Sequence, residues 1–148
     1  MSNFPPDLPV TNTTRTVSRS ETFILGDWAG APRVEGSLHY RESDPYAITM
    51  LIGMGDSPVE WKFARDLLAE GLIEPAGEGD VRIVPPQDGR DEVTVLLSSP
   101  DGRVTLLCPP ERLATFLRET VDIVSIGDES GYLAIDGALG ALLDGESR

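Results

Sequence analysis

The chain has 148 residues, 40% apolar and 25% charged, which excludes the disordered class and suits an ordinary globular domain. Its formal charge of −13, with one lysine against eleven arginines, argues against the clustered basic surface on which affinity for a phosphate backbone rests. No apolar run is long enough to span a bilayer, the start MSNFPPDLPV lacks a signal pattern, and the lone Cys108 cannot form an internal disulfide, so a cytoplasmic protein is expected.

Residues 1–20 are rich in Pro, Thr, Ser and Asn and read as a flexible tail, with a single domain over 21–148. Strand candidates follow. ETFILG (21–26) is short, and RVEGSLHYR (33–41) places Val34, Gly36, Leu38 and Tyr40 on one face. SDP (43–45) is a turn, and YAITMLIG (46–53) is a nearly continuous apolar run, as in a central strand. In VEWKFARDLLAEGL (59–72) the apolar period changes. Val59, Trp61 and Phe63 alternate with Glu60 and Lys62, and from Ala64 the spacing is helical. Ala64, Leu67, Leu68, Gly71 and Leu72 are assigned to the inner side, and Arg65, Asp66, Ala69 and Glu70 to the outer. Gly71 reads as the helix cap.

After the loop EPAGEGD (74–80) the layout repeats: VRIVP (81–85), EVTVLLSS (92–99), a turn at PDG (100–102), RVTLLCP (103–109) and a helix over PPERLATFLRET (109–120). Leu113, Phe116 and Leu117 form that helix's apolar stripe. VDIVSIG (121–127) is ambiguous, and DGALGALLDG (136–145) reads as a short last helix. Short links favour an antiparallel meander. The expected class is α+β, antiparallel sheets with two or three helices.

No catalytic, cofactor or metal site is expected. His39, the single histidine, falls on the polar face of its strand with no motif to complete a Ser–His–Asp set. Cys108 lies in an apolar run and reads as a buried thiol. Asp66 and Glu70, four apart, read as a solvated face near Lys62 and Arg65 rather than an acid–base pair. AGEGD (76–80) has two glycines but no lysine after them, so it is a turn and not a phosphate cradle. Trp28 sits in the aperiodic GDWAGAP (26–32), either covering a sheet end or exposed at an interface. Arg65, Asp66, Ala69, Glu70 and Trp28 are the candidate protein-interface residues.

YRESDPYAITM (40–50), PVEWKFARDLLAEGL (58–72), GEGDVRI (77–83) and FLRETVDIVSIGDE (116–129) closely resemble the SsgA-like proteins of sporulating actinomycetes. The resemblance runs from about Arg33 to about Asp144, and the long Pro/Thr/Ser-rich start departs from it. It implies a Whirly-like, bell-shaped fold that associates as a trimer. It also implies a non-enzymatic regulator that helps to position FtsZ at septa, with an SsgA-type paralogue as a further partner and no membrane insertion. The alternative is a Whirly-type single-stranded nucleic-acid-binding module, against which the charge argues.

Overall fold

Seven strands form one antiparallel sheet in the computed structural model of the chain, which describes residues 14–129 except 27, 54, 55 and 88. Strands β1 (Thr16–Leu25), β2 (Arg33–Arg41), β3 (Ala47–Ile52) and β4 (Val59–Ala64) run as a meander. Helix α1 (Arg65–Gly71) follows β4 directly, and β5 (Val81–Val84), β6 (Val93–Ser99) and β7 (Gly102–Cys108) form a second meander before helix α2 (Pro110–Ile123). The two meanders join where β1 meets β7, giving the order β4-β3-β2-β1-β7-β6-β5. The α+β class read from the sequence is the observed one, with two helices among the described residues. The helix expected over 136–145 lies outside the described residues.

The sheet is strongly curled, because residues from all seven strands share one buried cluster. Phe63 of β4 and Ile83 of β5 both belong to it, although their strands are the two ends of the sheet. Flat, seven strands would span roughly 30 Å. Helix α1 bridges the ends, leaving β4 and packing on β5. Gly71 makes that approach possible: a Cβ there would lie 2.5 Å from both Cβ and Cγ2 of Ile83. Gly71 is therefore not the cap expected from the sequence. It is helical, and the C-cap is Leu72.

The β1–β7 ladder holds only Ile24↔Leu107 and Leu25↔Leu106. Beyond it α2 lies along β1. It turns Leu113, Phe116 and Thr120 into the core, and Arg112 and Glu119 reach Glu21 and Arg19 of β1. Prolines at the N-cap and first helical position start α2 at no cost in hydrogen bonds, since neither N–H would have an intrahelical partner.

Three sequence expectations need correction. Strand β1 begins at Thr16, five residues inside the stretch read as tail, and Thr16 to Ser20 all pair with β2; residues 1–13 lie outside the described part. The run 46–53 alternates, with Ile48 and Met50 buried and their neighbours half-buried. Trp61 is only half-buried against the core, and Val59 is exposed.

The largest correction concerns Arg65. It was placed on the outer helix face, yet its side chain is 1% exposed. Its guanidinium donates through Nη1 to the carbonyl oxygens of Val124 (2.6 Å) and Thr120 (3.2 Å), and through Nη2 to Glu129 Oε2 (2.6 Å). It also lies 5.1 Å from the centre of the Tyr40 ring. Of its donors, only the buried Nε meets no partner among the described residues. Burial pushes the Glu129 carboxyl up. The hydrogen bond from Arg65, the backbone N–H groups of Glu129 and Gly127 and the charge of Arg65 outweigh that, and the carboxyl ends below its ordinary range.

This packing sets the expected cost of three substitutions. Gly71→Ala should lower stability by about 1–3 kcal/mol in urea unfolding, because overpacking against Ile83 outweighs alanine's advantage of about 1 kcal/mol in a helix. A neutral result would show that α1 is not seated on β5. Arg65→Leu should cost about 3–5 kcal/mol, since it strands the buried Glu129. For Glu129→Gln, the loss relative to wild type should be present at neutral pH. A depressed folded-state value means that the ionised carboxyl stabilises above about pH 4.3 and ceases to do so as pH falls through the folded value. The two melting curves should therefore converge in acid. A gap independent of pH would show that the carboxylate charge plays no part.

Candidate functional site

With Arg65 inside, the outer face of α1 is acidic. Asp66 and Glu70 are exposed and Ala69 is half-buried. Neither cation expected to moderate this face does so. Arg65 is committed to Glu129, and Lys62 faces Asp44 at 3.7 Å on the sheet. No ion pair reaches Asp66 or Glu70 among the described residues. Just beyond the helix, Ile73 is 81% exposed, with Glu74 exposed beside it. The face thus combines negative charge with one exposed apolar side chain.

Trp28 belongs to a different surface, at the β1–β2 connection. It is 61% exposed, and one edge of its ring lies against the Gly26 backbone, where a Cβ would come within 1.9 Å of Cζ3. Gly26 has φ +118, a conformation that also favours glycine. The ring thus lies against the Gly26 backbone on one side and presents the other to solvent. Of the five candidate interface residues, Asp66, Ala69 and Glu70 share one face, Trp28 stands on another, and Arg65 is on neither.

His39 lies on the outward face of the β1–β4 half of the sheet, between two hydroxyls. Ser18 Oγ is 2.9 Å from Nδ1 and Ser37 Oγ is 2.7 Å from Nε2. In the neutral ring one nitrogen donates and the other accepts, so each hydroxyl takes the complementary role. Among the described residues no carboxylate is hydrogen-bonded to the imidazole, and neither serine has a second base. The arrangement orders a cross-strand row but does not build a nucleophile–base–acid set.

Cys108 is fully buried at the end of β7. Burial, reinforced by the charge of Glu21, pushes its thiol up to about 12, against the pull of Arg112. A thiol held so high is not a nucleophile at neutral pH. The AGEGD segment is a turn, where Ala76 bridges to Ile83 and Gly77 takes φ +103. Among the described residues no three His, Cys, Asp or Glu side chains converge as a metal site would require.

Two features were missed from the sequence. Arg65 had a signal: on a helical wheel it falls within about 20° of Leu72 and 60° of Leu68, at the margin of the apolar stripe. The pairing of Glu21, 5% exposed, with Arg112 at 2.9 Å had none, because it joins residues 91 apart in the chain.

Comparison with known proteins identifies this architecture. Residues 34–129 match the family model described as Streptomyces sporulation and cell division protein, SsgA. The chain is 42% identical to the sporulation-specific cell division protein SsgB of Kineococcus radiotolerans, over 93% of this chain and 85% of that one. It is 38% identical to SsgB of Streptomyces coelicolor, over 89% of this chain and 97% of that one. A solved SsgA-like sporulation-specific cell division protein from Thermobifida fusca superposes with a TM-score of 0.74 at 39% identity, covering 86% of this chain and 95% of that one. A second solved structure, described as "Mutations in SsgB correlate to longitudinal cell division during sporulation of Streptomyces coelicolor", gives the same TM-score at 38% identity, covering 80% and 96%. The match spans both meanders and the Arg65–Glu129 clip, and the chain belongs to the SsgA family of sporulation and cell division proteins.

Proposed function

We propose that this chain is a non-catalytic regulator of sporulation-specific cell division. It acts in the cytoplasm at the septum, as a homotrimer, and helps to position FtsZ through protein–protein contacts together with an SsgA-type paralogue. The observation that carries this reading is the near full-length similarity to SsgB proteins named for sporulation-specific cell division. The chemistry of the described residues supports it, since His39 is engaged by two serines and the Cys108 thiol is held protonated. The acidic face of α1, with Asp66 and Glu70, is the surface assigned to a partner.

The test is a fluorescent fusion of this chain in sporulating cells of its own host. It should form regular septal bands that coincide with FtsZ, and deleting the gene should disperse those bands. Asp66→Lys with Glu70→Lys should leave melting within about 0.5 kcal/mol of wild type, as for exposed substitutions, but reduce band occupancy. Bands of FtsZ that form normally without the protein would overturn the reading. If only the double substitution is silent, α1 is a solvated face and the contact lies elsewhere.

The nucleic-acid alternative is tested directly. A random single-stranded oligonucleotide should bind more weakly than roughly 0.1 mM near physiological salt. Micromolar binding would restore that alternative.

A further inference from the structure

We infer that the recess at the β1–β7 junction, walled by Trp28 and by Arg33, Arg90 and Arg112, is a docking site for an acidic segment of a partner protein carrying an apolar anchor. This rests on the adaptor reading above and assigns a second surface to it.

The recess exists because β1 and β7 part company after two residue pairs. Where they diverge, one hollow is lined by Glu21, Thr22, Arg112 and Pro109, and the next by Trp28, Gly30, Ala31 and Arg90. The two share Ile24, Arg33, Glu92 and Leu107, so they form one continuous depression with an apolar floor of Ile24 and Leu107.

Among the described residues its lining is richer in cations than the chain as a whole: three arginines and two glutamates, where the whole chain stands at −13. Glu21 is buried and paired with Arg112 Nε at 2.9 Å, so the other charged side chains that line the recess among the described residues are Arg33 and Arg90 beside Glu92. Elsewhere, the exposed face of α1 is acidic and would repel an acidic segment. Complementarity therefore directs such a segment to this recess.

Trp28 supplies the other half of the argument. Its ring is pinned against Gly26 and presents its free side beside Arg33 and Arg90. An exposed tryptophan beside arginines is a composition enriched at the energetic centres of interfaces. Arginine forks take carboxylates in bidentate fashion, and the ring with Ile24 and Leu107 takes an aliphatic or aromatic side chain. A depression bounded by strand ends suits an extended segment, whereas the convex, seven-residue α1 of a second copy does not supply one. Nucleic acid could also stack on Trp28, but its phosphates would have to approach through the field of the whole acidic chain.

The experiment immobilises the full chain and selects from a displayed library of random peptides at low and at physiological salt. Recovered sequences should be rich in Asp and Glu around one apolar residue, and their binding should weaken as salt rises. Trp28→Ala and Arg33→Glu, both exposed and therefore compatible with folding, should each weaken a resynthesised peptide at least about tenfold, while the melting midpoint stays put. No acidic enrichment, or binding indifferent to both substitutions, would overturn the proposal. So would an oligothymidylate that binds the same recess more tightly than the peptides, or a change in oligomer mass as the main effect of either substitution, which would assign the recess to a second copy. In cells, wild-type bands that persist in both variants would reject this site and leave the adaptor reading standing. Absence of wild-type bands would reject the adaptor reading whatever the peptides show.

Discussion

The Arg65 guanidinium joins parts of the chain that no strand ladder connects. Helix α2 ends with no basic residue in its last turn, so its terminal carbonyls and the negative pole of its dipole need a cation from elsewhere. Arg65 supplies it from the first position of α1, and its placement is fixed by strand register. Its own N–H donates to the Tyr46 carbonyl at 2.7 Å, continuing the β3–β4 ladder into the helix. Burying a cation costs several kcal/mol, which is offset only by near-complete pairing. Here Glu129, two strong carbonyl acceptors and the Tyr40 ring provide that pairing. A lysine could not replace it, because one ammonium cannot fork between a carboxylate and a helix end while lying over a ring. Tyr40 is itself held by its hydroxyl on the Pro45 carbonyl, so the clip extends into the β2–β3 turn.

A different logic holds α2 beside β1. Arg19–Glu119, Arg112–Glu21 and the Arg15 Nη2 bond to the Ile123 carbonyl form a line along the helix flank. The arginines are more than half exposed, and such pairs contribute little to stability. The apolar face through Leu113 and Phe116 supplies the energy, and the ion pairs set where along β1 the helix lies. Glu21 differs, because its carboxylate is buried and depends on Arg112 for its hydrogen bond.

Local patterns were legible in the sequence, and non-local bargains were not. The alternation in 33–41, the change of period at Ala64, and the stripe Leu113, Phe116 and Leu117 each report a single element, and each element forms. The start of β1 was hidden because TVSRS offers one apolar residue. Its strand character comes from pairing with β2 and from Arg19, which meets Glu119 of α2 a hundred residues away. Gly71 looked like a cap because glycine near a helix end usually is one. Its actual role, clearance for Ile83, depends on a strand not yet reached in the chain. The same reasoning explains the mixed outcome at the candidate site. Exposure of Asp66 and Glu70 follows from helical period alone, whereas the fate of Arg65 depended on where α2 ends.

The charge of −13 bears on partners in two ways. Over long range it disfavours phosphate; on the outward sheet face His39 is hydrogen-bonded to Ser18 and Ser37, and Lys62 faces Asp44. A curved sheet alone therefore does not carry a nucleic-acid activity from one family to another. At physiological salt, however, the field decays over about 8 Å. Within that distance a partner meets local composition and not the total, and composition here varies sharply across the surface. The outer face of α1 carries carboxylates that no ion pair reaches among the described residues, while the β1–β7 junction sets Arg33 and Arg90 beside an exposed tryptophan, with Arg112 in the adjoining hollow. The two compositions lie apart because a curled sheet leaves its two seams, at α1 and at β1–β7, on separate parts of the surface. Under the proposed adaptor role, each seam can engage a different protein, or a different site on one, without competing.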